Sequence, residues 1–172
     1  MHKFRYLTLA LATSLLLTSS AFALEASDKT RLETTLSTYA AALENADYVA
    51  VVNALPPAVI ELISQEAKLS PEVIRQSITA QMSSVMSEAV IHRFTMDTST
   101  MTSGETASGM NYAFLPTETV ISQAGGEPQN VETTTIAIDQ DGVWYLMRIE
   151  YPSHYDFVRA AYPEFQDVAL PE

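Results

Sequence analysis

The pattern of apolar and polar positions changes about halfway along the chain. In the first half, apolar residues recur at helical spacing, as in Leu32, Leu36, Tyr39 and Leu43. They form one stripe along a helix predicted from about residue 28 to 45. In the second half, apolar and polar residues alternate, which is typical of half-buried β-strands. The sequence therefore predicts helices first and a sheet afterwards.

Capping residues and prolines mark the helix boundaries. Ser27 and Asp47 are the predicted N-caps of the first two helices, since short polar side chains satisfy the free N–H groups there. Pro56-Pro57 breaks the second helix and starts a third. Ser70, followed by proline and glutamate, predicts a fourth helix to about residue 88. Its expected inward residues are Val73, Ile74, Ile78, Met82, Val85 and Met86.

Four strands are predicted in the second half. They are residues 90–100; a strand with Met110, Tyr112 and Phe114 that either ends at Pro116, as we expect, or continues through Val120 and Ile121; residues 131–138; and residues 143–151. Gly104 is placed in the first turn, and Asp139–Gly142 is a tight hairpin rather than a calcium loop. A short helix near 153–161 follows. The predicted fold class is α+β, with N-terminal helices packed on a curved antiparallel sheet of about four strands.

The N-terminus has the three parts of a secretory signal. Lys3 and Arg5 are followed by an apolar, uncharged segment over residues 6–18 and then by Ala21-Phe22-Ala23. This order predicts a signal peptide over 1–23 that is cleaved after Ala23. The remaining residues, 24–172, are expected to form one domain in the periplasm or beyond it, with no membrane segment left after cleavage.

Composition excludes several classes of function. The chain contains no cysteine, so disulfides, thiol chemistry and zinc–thiolate sites are excluded. It carries 21 acidic residues against 9 Lys and Arg, a formal net charge of −12. Nucleic acid is a poor partner for such a chain, because its binders need a basic face. A cationic protein partner, or solubility alone, fits the charge better.

Two segments carry a resemblance to a known superfamily. LSTYAAALENADYVAVVNAL and, much later, DGVWYLMRI resemble the nuclear transport factor 2-like superfamily. The resemblance covers most of residues 28–150 and implies a cone-shaped α+β fold with a pocket between helices and sheet. Ketosteroid isomerases of that superfamily place a catalytic tyrosine in the first helix, where this chain has Tyr39. Their aspartates have no identifiable counterparts here, so the resemblance implies a pocket and no particular reaction.

His92 is the first pocket candidate. It alternates with Val90, Phe94 and Met96, so a face turned into the cone would place a lone imidazole there as a base or ligand contact. We favour the alternative of a histidine hydrogen-bonded near the rim. His154 and Asp156 are two residues apart on a helix and are expected to be solvated.

The last strand leaves its orientation open. If Trp144 faces the pocket, Arg148 does too, and Arg148 could pair with a ligand carboxylate. If Tyr145 faces inward, Arg148 lies outside and pairs with Glu150, which is the arrangement we favour. Because both faces of this strand are apolar, the outer one needs a cover. The cover is either the C-terminal segment, with Tyr155, Val158, Tyr162 and Phe165, or a second subunit in a homodimer.

These observations support two hypotheses about function. The first is an exported, soluble, non-catalytic domain that binds a small apolar ligand or a protein partner, such as an inhibitor or immunity protein would. The second is a small isomerase or lyase of the cyclase type, with His92 and Tyr39 as catalytic candidates. No cofactor or metal site is expected. The candidate ligand-binding residues are Tyr39, His92, Phe94, Tyr112, Trp144 and Arg148.

Overall fold

Four helices open the fold. The computed structural model describes residues 24–171, and the predicted signal peptide, residues 1–23, lies outside them. The helices are α1 (Ala26–Glu44), α2 (Tyr48–Asn53), α3 (Pro57–Ala67) and α4 (Pro71–Met86).

Two of the three predicted helix caps are confirmed. The Asp47 carboxylate accepts the N–H of Ala50 at 3.0 Å, and the Ser70 hydroxyl accepts the N–H of Val73 at 3.3 Å. Ser27 does not cap α1, because the helix already begins at Ala26.

A curved antiparallel sheet follows the helices. Its strands are β1 (Ala89–Met96), β2 (Thr102–Glu105), β3 (Asn111–Gln123), β4 (Gln129–Gln140) and β5 (Val143–Ile149). The order is β1-β3-β4-β5, and β2 pairs with β3 beyond the end of β1. Helix α5 (Pro152–Ala161) and a 3-10 helix (Pro163–Phe165) complete the chain. The predicted α+β class, with helices before an antiparallel sheet, is confirmed.

Gly104 lies in a strand and not in a turn, which corrects the sequence-based placement. It is part of β2 and pairs with Tyr112 of β3. A Cβ at this position would collide with the ring of Tyr112. Glycine is therefore used here to let an aromatic ring approach the backbone, a role that also occurs inside strands.

Pro116 does not end its strand, contrary to expectation, because its missing N–H falls at a gap in the sheet. Its carbonyl accepts the N–H of Asp97, on the side of β3 where β1 has ended at Met96 and β2 has not yet begun. In an antiparallel strand the N–H and C=O of one residue point to the same side. The proline therefore costs no hydrogen bond to β4, and β3 continues to Gln123.

The sheet has two differently covered faces. The inner face packs on α1 through the cluster Leu32, Leu36, Ala113, Leu115, Ala137, Trp144 and Leu146. The outer face is covered by α5 and the 3-10 helix through Phe114, Ile136, Ile138, Ile149, Tyr155, Val158, Tyr162 and Phe165, with Val59 of α3. The intramolecular cover is thus present. A homodimer through the sheet stays a prediction.

Candidate functional site

A cavity of about 470 Å³ lies between the helices and the part of the inner face that α1 leaves uncovered. It extends to the β5 edge and the start of α5. Helices α1 to α4 and the α2–α3 connection contribute Tyr39, Leu43, Val51, Val52, Leu55, Val59, Ile63, Ile78, Met82 and Met86. The sheet contributes Ile91, Phe94, Thr119, Ile121, Thr135, Met147 and Arg148, and Glu150, His154 and Phe157 complete the wall. Its volume lies in the range of small-molecule sites.

The walls are mainly apolar. Aliphatic, methionine and phenylalanine side chains form most of the lining, and six residues bring polar groups: Tyr39, Thr119, Thr135, Arg148, Glu150 and His154. The hydroxyl of Thr135 is already used, since it lies 2.7 Å from the hydroxyl of Thr117. An apolar chamber with a few polar groups can bury a hydrophobic molecule and fix its orientation.

A β-bulge in β1 determines which of its residues reach the cavity. The register shifts between Ile91 and Arg93, so His92 is the extra, unpaired residue. Ile91 and Phe94, three apart, consequently line the same cavity, which strict alternation would not allow. The Tyr39 and Phe94 rings pack there with their centroids 6.0 Å apart.

His92 does not line the cavity, which corrects its placement in the pocket. The residue is exposed, and its Nε2 lies 2.9 Å from the hydroxyl of Ser122. This is the rim-type, hydrogen-bonded histidine that we favoured as the alternative. The extra residue of the bulge breaks the alternation on which the pocket placement depended.

Tyr112 and Trp144 also lie outside the cavity. Tyr112 is on the outer face, with its ring 5.4 Å from that of Phe165. Trp144 is buried beneath α1, where its indole N–H donates to the carbonyl of Asp28 at 3.1 Å. Both are packing residues of the covered parts of the sheet. Of the six candidates, the cavity brings together Tyr39, Phe94 and Arg148.

Arg148 faces the inner side of the sheet, so the outward arrangement that we favoured is wrong. It lines the cavity on the same face as Trp144 and Leu146. Its Nε donates to Thr133 Oγ1 at 3.1 Å and lies 3.3 Å from Glu150 Oε1. The expected contact with Glu150 therefore exists. Among residues 24–171, the two terminal nitrogens of Arg148 have no hydrogen-bond partner.

Two hydroxyl groups in the cavity wall are also unpaired within the described part of the chain. Thr119 is 3% exposed and its Oγ1 makes no hydrogen bond. The Tyr39 hydroxyl makes none either. Burial raises the pKa of Tyr39, and the positive charge of Arg148 partly opposes this rise. The two residues are thus close enough to interact electrostatically.

Helix α4 forms the loosely packed wall. Ile78, Met82 and Met86 line the cavity as expected, but Ile74 is the residue of this helix that is buried. Val73 and Val85, which we predicted to face inward, are 40% and 62% exposed. The stripe of α4 that packs against the rest of the domain is therefore narrower than predicted, since the cavity takes the place of part of the packing.

The mouth of the cavity contains His154, which we expected to be solvated. His154 Nδ1 accepts the N–H of Glu150 at 3.3 Å, and the His154 ring stacks edge-on with Tyr151. His154 therefore caps the turn into α5 rather than being simply solvated. The position of His154 in the sequence gives no indication of this contact, because the contact depends on the turn between β5 and α5.

A second, more open depression of about 630 Å³ lies elsewhere on the sheet. It is lined by threonines and carboxylates of β1, β3 and β4 and by Pro171. Its polar groups include Asp97, whose pKa is lowered by hydrogen bonds from Ser99 and Thr100. The depression offers no apolar chamber, so the cavity under α4 is the stronger candidate site.

Neither a membrane-spanning helix nor a metal-binding cluster occurs in residues 24–171. None of the helices there is both long enough and apolar enough to cross a membrane. No group of three or more His, Cys, Asp and Glu side chains in this part of the chain is arranged to hold a metal ion.

Comparison of the chain with protein-family models, curated proteins and solved structures found no match. The resemblance to the nuclear transport factor 2-like superfamily accordingly stays a prediction, and the function has to be inferred from the cavity itself.

Proposed function

We propose that this chain is an exported binding protein that holds a small, mainly apolar molecule in the cavity. One observation carries the proposal: a chamber of about 470 Å³ with a predominantly apolar lining and few polar groups. Exposed apolar surface in a folded protein is costly unless something covers it. A hydrophobic ligand of matching size would recover that cost. The export signal predicted over residues 1–23 gives the expected location, the periplasm or beyond it.

The proposal favours binding over catalysis for a structural reason. The cyclase-type alternative assigned the base to His92, and that residue is exposed outside the cavity. Tyr39 lines the cavity, but burial raises its pKa, and such a phenol is a poor base near neutral pH. A cationic protein partner remains a prediction from net charge alone.

Titration with the neutral dye Nile red tests the proposal. Its fluorescence rises in an apolar site, so binding is followed directly on the purified protein. Met82→Trp should reduce the affinity at least about tenfold, because the larger, rigid side chain takes up part of the chamber and narrows it. Val85→Trp is the matched control, since it makes a similar change on the exposed side of the same helix.

Three results would contradict the proposal. They are no saturable binding by the unmodified protein, equal effects of the two tryptophan variants, and unchanged binding with Met82→Trp. Native mass spectrometry of protein taken from its own periplasm provides an independent test. A retained small molecule in the unmodified protein and none in Met82→Trp is the expected result.

A further inference from the structure

The inner face of the sheet has an apolar end and a polar end. Beneath α1 the sheet presents Ala113, Leu115, Ala137 and Leu146, all buried against the helix. Further along the same face come Thr117, Thr119, Thr133, Thr135 and Arg148, in neighbouring cross-strand positions. We call these five residues the polar belt. The cavity lies beside it, with Thr119, Thr135 and Arg148 in its wall.

The guanidinium of Arg148, in the polar belt, has partners at Nε but none among the described residues at its two terminal nitrogens. Thr133 and Glu150 both contact its Nε. The terminal nitrogens, which carry four N–H donors, have no partner among the described residues. A guanidinium is a donor only and cannot turn an acceptor toward the cavity. Two parallel N–H bonds from its terminal nitrogens fit the two oxygens of a carboxylate.

The unpaired hydroxyls of Thr119 and Tyr39 belong to the same cavity. The Tyr39 hydroxyl can donate to a ligand acceptor, whereas the Thr119 Oγ1 is almost completely buried and closed to solvent. A buried polar group without a partner is costly, so such groups in native proteins usually have one. Arg148 and the Tyr39 hydroxyl, which are close enough to interact electrostatically, form a set of donors that favours an acceptor-rich group.

The sign of the complementary charge follows from the surroundings. The chain as a whole is strongly acidic, and it offers little long-range attraction for an anion. Arg148 is the cation that lines the cavity, and its terminal nitrogens repel a cationic head group. Glu150 contacts the guanidinium only at Nε, 3.3 Å away. Because Glu150 balances the charge of Arg148, it is the open donors of the terminal nitrogens, rather than net charge, that favour an anion at this point.

The rest of the cavity suits an apolar body. Phe94 and Ile121 on the sheet and Ile78 and Met82 on α4 all line the chamber. Methionine side chains are flexible and adapt to chains of different shape. Because α4 has only Ile74 buried, this wall can adjust at little cost in packing.

We propose that the cavity binds an amphipathic carboxylate, with its apolar chain under α4 and its head group on the terminal nitrogens of Arg148. The proposal rests on the proposed function and specifies its ligand class. Tyr39, which is close enough to Arg148 to interact electrostatically, supplies a further hydrogen bond near the same end of the ligand. A neutral lipid of the same length would fill the chamber but leave the guanidinium unpaired.

Competition against Nile red with dodecanoate and dodecanol, which share one chain length, tests the head group. At neutral pH we expect the unmodified protein to bind dodecanoate at least about tenfold more tightly than dodecanol, as hydrogen bonds to charged groups imply. Arg148→Gln should remove this preference and change the dodecanol affinity less than about threefold. Arg93→Gln is the matched control, because Arg93 pairs with Glu118 and lines no part of the cavity.

The outcomes separate the two proposals. Preference for dodecanoate that Arg148→Gln abolishes and Arg93→Gln retains supports the inference. Equal binding of the two ligands, or a preference that survives Arg148→Gln, overturns the carboxylate inference while the apolar cavity function stands. Failure of Nile red and both ligands to bind overturns both. Circular dichroism of each variant establishes that it is folded, and Arg148→Lys, which keeps the charge but not the paired donors, should recover only part of the preference.

Discussion

The two faces of the sheet differ in how completely they are covered by the rest of the chain. On the outer face, aromatic rings fill the space between sheet and C-terminal segment: Phe165 is 0% exposed, and its ring lies 5.4 Å from that of Tyr112. On the inner face, α1 covers only part of the sheet, and the remainder borders a cavity. The close packing of the outer face contributes stability, whereas the inner face is less closely packed and leaves an open space.

The side chains at the two faces differ accordingly. The outer cover uses rigid aromatic residues in edge-to-face contact, such as Phe114 with Tyr155 at 5.7 Å. The cavity wall uses threonine, methionine and isoleucine, and its helix α4 has one buried residue. Substitutions in the outer cover should therefore lower stability, and those in the cavity wall should mainly change binding.

Phe165→Ala is expected to have the largest effect on stability. Truncating this fully buried ring should lower the free energy of unfolding by about 3–5 kcal/mol, measured by chemical denaturation. Phe157→Ala, at the cavity mouth, is the control: its ring is 40% exposed, so the loss should be less than about 1 kcal/mol. Equal losses in the two variants would contradict the distinction between the faces.

The outer cover should also contribute less to the free energy of unfolding at high pH. Burial raises the pKa of Tyr155 and of Tyr162 from the usual 10.0 to about 12. Their protonated forms are favoured in the folded state, so this stability is present below pH 10 and is lost as pH rises toward 12. Each tyrosine should contribute a fall of roughly 2 kcal/mol across that window.

Denaturation curves measured between these pH values test this linkage. Tyr162→Phe should flatten the fall in the free energy of unfolding, although it also loses the hydrogen bond to Gln140. Tyr151→Phe, at an exposed tyrosine, should leave the slope unchanged. A slope in Tyr162→Phe equal to that of the unmodified protein would exclude Tyr162 as a source of the effect.

Much of the fold could be predicted from local signals. Asp47 and Ser70 cap helices because a short side chain reaches an N–H three residues ahead. Asp141 and Gly142 both have positive φ, of 54° and 81°, as the predicted two-residue hairpin turn requires. The order of helices and strands follows from periodicities that each span a few residues.

Predicting the lining of the cavity requires information that is not local in the sequence. The bulge at His92 depends on the pairing of β1 with β3, and without it the wrong residues of β1 are assigned to the pocket. Gly104 needs the ring of Tyr112, and Pro116 needs the gap between β1 and β2. Partners distant in sequence decide all three. The orientation of Arg148 likewise follows from packing of Trp144 beneath α1.

Two threonines should respond in opposite directions to the same substitution. Thr119→Val removes a buried, unpaired hydroxyl and should raise the stability of the unliganded protein by about 1 kcal/mol. Thr135→Val removes a hydroxyl that is bonded to Thr117 and should lower it by about 1 kcal/mol. Thermal denaturation of both variants without ligand measures the difference. A loss of stability in Thr119→Val would indicate that its hydroxyl is already satisfied.

Glu150→Gln should have the smallest effect, and it tests how the mouth tunes the cavity. Glu150 is partly exposed and contacts the Nε of Arg148, so its charge opposes an incoming anion through a screened interaction. Removing it should raise the dodecanoate affinity about two- to fivefold and leave dodecanol unchanged. Glu132→Gln makes the same charge change outside the cavity and should alter neither affinity.

Salt concentration distinguishes a local from a general charge effect at the mouth. The gain in Glu150→Gln should shrink as ionic strength rises, because the contact is partly solvent-exposed. If Glu132→Gln gave an equal gain, the overall acidity of the protein, rather than the contact of Glu150 with Arg148, would control anion binding. If Glu150→Gln weakened dodecanoate binding, Glu150 would instead be needed to hold Arg148 in position. The open inner face would then depend on a fixed ion pair, much as the outer face depends on fixed rings.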